Sequence, residues 1–168
     1  FQSRHLMEEV AHRLHLDMSY KVKNGLRNDE LYTHSPVTVS FPEAEERQVI
    51  TVAVTPVDSI TVRLSGFSLA VGGEEVRLEE VLDVHLNDTV STPVGPMVIT
   101  PTLYYTDVFY GRPVNVIKFN MESVVESYRN KLKVSLASKT ATIINLVLDD
   151  VSIARAEDIL NMLIAVYN

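Results

Sequence analysis

Residues 128–168 read YRNKLKVSLASKTATIINLVLDDVSIARAEDILNMLIAVYN, and this stretch decides the fold. The end of a helix runs into an alternating segment, Leu132-Lys133-Val134-Ser135-Leu136, which predicts a strand. A polar turn follows at Ser138-Lys139-Thr140, then a mostly apolar strand from Ala141 to Leu148. Asp149 and Asp150 close it, and a helix is predicted to start near Ser152. Ala156, Ile159, Leu160, Leu163, Ile164 and Tyr167 recur at i, i+3, i+4, i+7, i+8 and i+11, a broad apolar stripe on one helix side. The unit is expected to be one packed layer, with its strands antiparallel and the helix lying across them. The stripe runs on with no Gly, Pro or polar tail to stop it, as expected of a helix that continues in a longer parent chain or ends against something else.

Working outward, Asn120 is a candidate N-cap for a helix over Met121 to about Asn130, with Val124, Val125, Tyr128 and Leu132 inward. At the other end Ser3 is a candidate N-cap. Leu6, Met7, Val10, Ala11 and Leu14 then repeat at helical spacing, predicting an amphipathic helix near residues 4–15. Lys23-Asn24-Gly25 reads as a turn. From Pro36 to Ile117 the period changes to two and β-branched residues dominate. Strands are expected over Val37–Phe41, Val49–Val54, Ile60–Leu64, Leu82–Leu86, Met97–Tyr104 and Val114–Ile117, with a tight hairpin at Gly72-Gly73. The reading is an α+β chain. An α/β base of three helices and a small sheet (1–20 and 119–168) carries a β-rich, sandwich-like insert (about 36–118) between the first and second helices.

The formal net charge is −7 and there is no cysteine. Acids cluster at Glu43, Glu45 and Glu46 and at Glu74, Glu75, Glu79 and Glu80, which reads as solvated surface. This balance argues against nucleic acid, which needs a concentrated basic face, and against direct docking on anionic lipid. Disulfides, thiolate chemistry and cysteine zinc sites are excluded. No run is long enough to span a membrane and no signal-peptide pattern opens the chain.

Candidate chemistry is sparse. His5, Glu8 and His12 share one helix side, but the spacing is not His-Glu-x-x-His and a solvated face explains them. Asp149 and Asp150 are adjacent on an extended chain and point oppositely, so helix capping accounts for them better than an acid/base pair. Asp83 and His85 alternate onto one strand face without an assignable serine, and no Gly-x-Ser-x-Gly or phosphate-loop motif occurs. No catalytic residue, cofactor or metal is expected. Asn87-Asp88-Thr89 matches a glycosylation acceptor pattern. The densest aromatic tract is Tyr104 to Tyr110. Its plain reading is strand-end packing; its functional reading is a contact patch of Tyr104, Tyr105, Phe109 and Tyr110 for sugar stacking or a subunit.

Three tracts together resemble the periplasmic domain of polysaccharide co-polymerases, the Wzz-type chain-length determinants, in their tyrosine-kinase-linked capsule and exopolysaccharide branch. They are the opening SRHLMEEVAHRLHLDMSY, Thr92-Pro93-Val94-Gly95 leading into Met97-Val98-Ile99-Thr100, and the final unit with Ala156, Ile159, Asn161, Leu163, Tyr167 and Asn168. The resemblance implies a single periplasmic domain, 1–168, a soluble fragment at the periplasmic face of the bacterial inner membrane, with flanking membrane helices outside this chain. It implies a homo-oligomer that controls chain length or export of capsule, exopolysaccharide or O-antigen, alongside the polymerase and export machinery. It also implies a kinase elsewhere in the system, because no phosphate loop stands here. In the family a base strand precedes the first helix, and no such strand is expected within the residues ahead of Ser3. The competing expectation is a stand-alone β-sandwich module that binds carbohydrate or a protein partner.

Overall fold

The structure is a computed structural model that describes residues 1–140 and 142–168. It is α+β, with helices at both ends of the sequence and antiparallel sheets between. The chain divides into two compact units, Met18–Phe119 and a second made of Phe1–Asp17 with Asn120–Asn168. Among the described residues no helix is long and apolar enough to cross a membrane.

The Met18–Phe119 unit holds ten strands: β1 (Met18–Asn24), β2 (Arg27–Glu30), β3 (Val37–Ser40), β4 (Val49–Pro56), β5 (Thr61–Val71), β6 (Glu74–Leu78), β7 (Leu82–His85), β8 (Thr89–Val90), β9 (Met97–Pro101) and β10 (Val114–Lys118). The larger sheet runs β2-β1-β10-β4-β5-β6, with β7 also on β5, and the smaller runs β3-β9-β8. Alternation explains the layering. In β4, Ile50, Val52 and Val54 are fully buried while Thr51, Ala53 and Thr55 face the other way. Registers Val116↔Val52 and Val114↔Val54 put the same parity of β10 on that inner face. Val37 and Val39 from β3 and Met97 and Ile99 from β9 join it, so the two sheets share one apolar cluster.

Two local devices complete this core. A register shift at Thr51/Ala53 lies opposite Gly66, whose φ of +61° suits glycine. The extra residue turns Phe67 inward after Val62 and Leu64, where strict alternation would have placed it outside. Lys118 is buried, and its ammonium donates to the carbonyls of Glu45, Glu46 and Gln48 at 2.7, 3.0 and 2.8 Å. These bonds tie down the loop before β4 and satisfy a charge that would otherwise be costly to bury.

Several strand expectations change. Met18–Asn24, not expected as a strand, is β1, and it pairs with β10 because Tyr20 and Val22 supply inward side chains. The turn near Asn24 is there, as the Gly25-Leu26 corner of the β1–β2 hairpin. The strand expected to reach Tyr104 stops at Pro101, and Thr102 turns the chain. The Gly72-Gly73 hairpin forms as expected, joining β5 to β6.

In the other unit, α1 (Arg4–Arg13) and α2 (Met121–Lys131) begin at the expected caps, and α3 (Ile153–Tyr167) starts where expected but is capped by Ser152 rather than by Asp149 or Asp150, because Asp150 is drawn to Arg155 and Tyr128 instead. Ser3 accepts from Leu6 N–H, Asn120 from Glu122 N–H and Ser152 from Arg155 N–H. Both α2 and α3 pack on α1. The buried side chains are Met7, Val10 and Ala11 from α1, Met121, Val124, Val125 and Tyr128 from α2, and Ala156, Ile159 and Leu163 from α3.

The hairpin of β11 (Lys133–Leu136) and β12 (Ile144–Val147) is antiparallel as expected, with Leu136 opposite Ile144. The start of the second strand expected at Ala141 lies outside the described residues. The expected packed layer is not formed. Every β11 residue is exposed, and so are Ile144, Asn145 and Val147 of β12, with Leu146 half-buried, so among the described residues the hairpin is not covered by a packed helix face. The stripe on α3 is also narrower than its periodicity promised. Leu160 is half-buried, Ile164 and Tyr167 are exposed, and the Tyr167 ring stacks on Phe1 at 4.3 Å. A helix packed on a helix buries a narrow seam, whereas one packed on a sheet buries a broad face. A charge at Ile159 should therefore cost about 3–5 kcal/mol, and one at the half-wet Leu160 under about 2 kcal/mol. Urea denaturation of Ile159→Asp and Leu160→Asp would show the difference; equal losses would return Leu160 to the core.

Candidate functional site

The connection from β9 to β10, residues 102–113, is a loop fixed at several points, and it carries the aromatic tract. At its start Thr102 N–H donates to Pro36 O and Thr102 Oγ1 donates to Ser35 O at 2.6 Å. Thr102 Oγ1 also accepts from Tyr104 N–H. At its end Gly111, with φ +77°, donates its N–H to Pro56 O at 2.8 Å. Between them Asp107–Phe109 form a 3-10 turn.

The four aromatic residues separate into two pairs. Tyr105 and Phe109 pack against the apolar cluster of the unit. Tyr105 Oη donates to Asp58 O at 2.7 Å, and burial, then Tyr110 and Asp58, push its phenol up to about 12. It remains a protonated donor anchored to the backbone. Tyr104 and Tyr110 are exposed instead. Tyr104 lies against His34, centroids 4.7 Å apart, and Tyr110 leans on Tyr105 at 6.4 Å. Tyr104 and Tyr110 are thus the exposed members of the tract, and Tyr105 and Phe109 the packed ones.

A recess of about 480 Å³ opens beside the end of this loop, between Lys23, Ala53, Gly111, Arg112, Pro113 and Asn115. The sheet assembles it. Asn115 stands opposite Ala53 on β4 and Lys21 on β1, so these side chains and Lys23 occupy one face. Small Ala53 leaves the floor open. Arg112 places its guanidinium carbon 5.5 Å from the Phe109 ring centroid, a cation–π contact that holds it beside the recess. Among the described residues no carboxylate lines this space. Nearby acids on β2 are engaged: Glu30 accepts from Ser19, Tyr20 N–H and Tyr32 N–H, and Asp29 from Asn24. A second recess, about 520 Å³, lies by β6 and is lined by Glu75, Glu79 and Glu80 with Arg77.

The remaining candidates are placed as follows. Asp83 is bound by Arg63 through two hydrogen bonds of 2.8 and 3.1 Å, which hold its carboxyl below the usual range. His85 lies 4.0 Å from Asp88. On α1, His5 and His12 are exposed and Glu8 is bound by Arg4 at 2.9 Å. Asp149 is exposed while Asp150 turns inward. The Asp150 carboxylate is almost fully covered and is bonded by Arg155, Tyr128 Oη and Ser152 N–H. Burial, the largest single influence, would raise it; Arg155's bonds and charge, Ser152 and Tyr128 together outweigh that and hold it below the ordinary carboxylate value. Asn87 sits at a turn with φ +68°.

Sequence reasoning missed the recess. Lys23, Ala53, Arg112 and Asn115 share no spacing, and only the β1-β10-β4 order makes them neighbours. No family model matches the chain, and comparison with curated proteins finds no match. What the fold and site define is a class: an α+β protein whose β-rich unit exposes Tyr104 and Tyr110 and carries a recess lined by Lys23 and Arg112.

Proposed function

We propose that this chain is a non-catalytic periplasmic portion of a membrane-anchored polysaccharide co-polymerase. It would act as an oligomeric scaffold controlling chain length or export of a capsule, exopolysaccharide or O-antigen. In this reading Phe1–Asp17 with Asn120–Asn168 form the base and Met18–Phe119 the β-rich insert. Flanking membrane helices, and a tyrosine kinase on the cytoplasmic side, belong to the rest of the system.

The observation that carries the reading is the ordered tract from α2 through α3. A helix, a short antiparallel hairpin, an aspartate-closed turn and a capped amphipathic helix follow in the order that resembles the family's base. The turn at Thr92-Pro93-Val94-Gly95 supports it as a strand entry. Thr92 Oγ1 accepts from Val94 N–H and donates to Gly95 O, and β9 follows at once. A scaffold role also suits the Asp–His strand pair, since Asp83 is committed to Arg63. Polymer control of this kind works through shape and many weak contacts.

Deleting the gene should change the size distribution or surface amount of one glycan without abolishing repeat-unit synthesis. Gel profiles of surface polysaccharide from deleted and complemented strains measure this. Unchanged profiles for every surface glycan would instead favour a stand-alone carbohydrate- or protein-binding module, a reading that the exposed Tyr104 and Tyr110 also support.

A further inference from the structure

We propose that the recess between β1, β4 and the end of the β9–β10 loop binds carboxylate-bearing sugars, as in a uronate-containing polymer. Arg112 and Lys23 would take the carboxylate and Tyr110 would stack on the sugar ring. That the ligand is a glycan rests on the proposed function; that it is anionic rests on the recess alone.

The charge argument comes from contrast. On a chain of net charge −7, Arg4, Arg13, Arg63, Arg77, Arg129 and Arg155 all face carboxylates. Among the described residues neither Arg112 nor Arg47 has an ion pair, and of the two only Arg112 borders a recess: its guanidinium lies over Phe109, and no acid lines the space beside it. Lys23 stands across the same space, opposite Asn28 rather than an acid. Two cations facing one recess repel each other weakly, and an anion between them relieves this. A guanidinium binds a carboxylate through two parallel hydrogen bonds. Its position is set beforehand by the Phe109 ring and by the Gly111–Pro56 bond, so little ordering remains for the ligand to impose.

The saccharide argument is one of shape and neighbours. Asn115 offers both an amide donor and an acceptor at the recess, the pairing a sugar hydroxyl uses. Tyr110, two residues before Arg112, is exposed and offers a ring to the apolar C–H face of a pyranose. A small floor at Ala53 with polar groups at the rim allows a chain to cross rather than end there. The acidic recess by β6 would repel the same ligand, which favours one track over the other.

The test is an amide-resolved NMR titration of the purified chain with oligogalacturonate, a neutral glucan oligomer of equal length, and inorganic phosphate. Shifts should appear at residues 22–23 and 110–115 with oligogalacturonate and fade with added salt. Arg112→Gln should weaken binding about tenfold, the order expected for losing a charge-assisted bond, and Lys23→Gln should weaken it too. Lys133→Gln, on the exposed hairpin, should leave it unchanged, and all three variants should melt like the parent. Equal binding of the neutral oligomer would overturn the charge assignment. Phosphate shifting the same amides as strongly would reduce the recess to a plain anion site and overturn the saccharide assignment. Absence of any shift there overturns the proposal outright. None of these results touches the gene-deletion phenotype, so the recess and the chain-length reading fail separately.

Discussion

Arg155→Ala is expected to destabilise the helical unit by about 3–5 kcal/mol, the cost of breaking a buried pair by removing one partner. The Asp150 side chain is 2 % exposed and that of Arg155 11 %. Arg155 Nε donates to Asp150 at 2.7 Å, and Tyr128 Oη and Ser152 N–H complete the shell. Without the guanidinium, a carboxylate stays covered with no counter-charge and must either take a proton or open the structure. Removing both charges, in Asp150→Asn with Arg155→Gln, should recover much of the loss. The pair also sets an acid limit. Because the folded-state pKa of Asp150 lies below the unfolded value of ~3.9, its contribution is complete above that pH and disappears as pH falls through the folded-state value. Urea denaturation followed from neutral pH into acid measures both effects. Parent-like stability of Arg155→Ala would show that the pair is merely tolerated.

Phe67→Ala is expected to cost a similar amount, about 3–5 kcal/mol, in the β-rich unit. Phe67 is 1 % exposed and belongs to the cluster built from both sheets. Truncation leaves a cavity between layers that are pinned by their hydrogen-bonded ladders and can close on it only partly. Thermal and urea unfolding of the variant, followed by a probe in the β-rich unit, read the loss. A loss under about 1 kcal/mol would mean that the sheets collapse onto the gap and that the layering is softer than described.

Much of the secondary structure was legible because it depends on neighbours in sequence. Ser3, Asn120 and Ser152 cap their helices through contacts two or three residues away. Gly72 and Gly73 supply the positive φ that their hairpin needs. Met18–Asn24 was less legible, since Met18-Ser19-Tyr20-Lys21-Val22-Lys23 alternates just behind a helix and its identity as β1 depends on β10, nearly a hundred residues later. Phe67 could not be assigned a face from alternation, because the bulge at Gly66 resets the parity.

The aromatic tract shows the same division within one loop. The sequence marks Tyr104, Tyr105, Phe109 and Tyr110 as a group. Which of them are anchors was decided by the Asp58 carbonyl in the β4–β5 loop and by the cluster under Tyr105 and Phe109, and both are distant in sequence.

By itself the sequence determined the α+β class, the helix starts, the glycine turns and the apolar parity of β3 and β4, because each is a local matter of torsion, capping or period two. Only the tertiary structure decided that α3 buries a narrow seam, that β11 and most of β12 stay exposed, and that Lys23, Arg112 and Asn115 meet at one recess. Those outcomes depend on which surfaces face each other, and pairing across long sequence separations leaves no periodic trace in the chain.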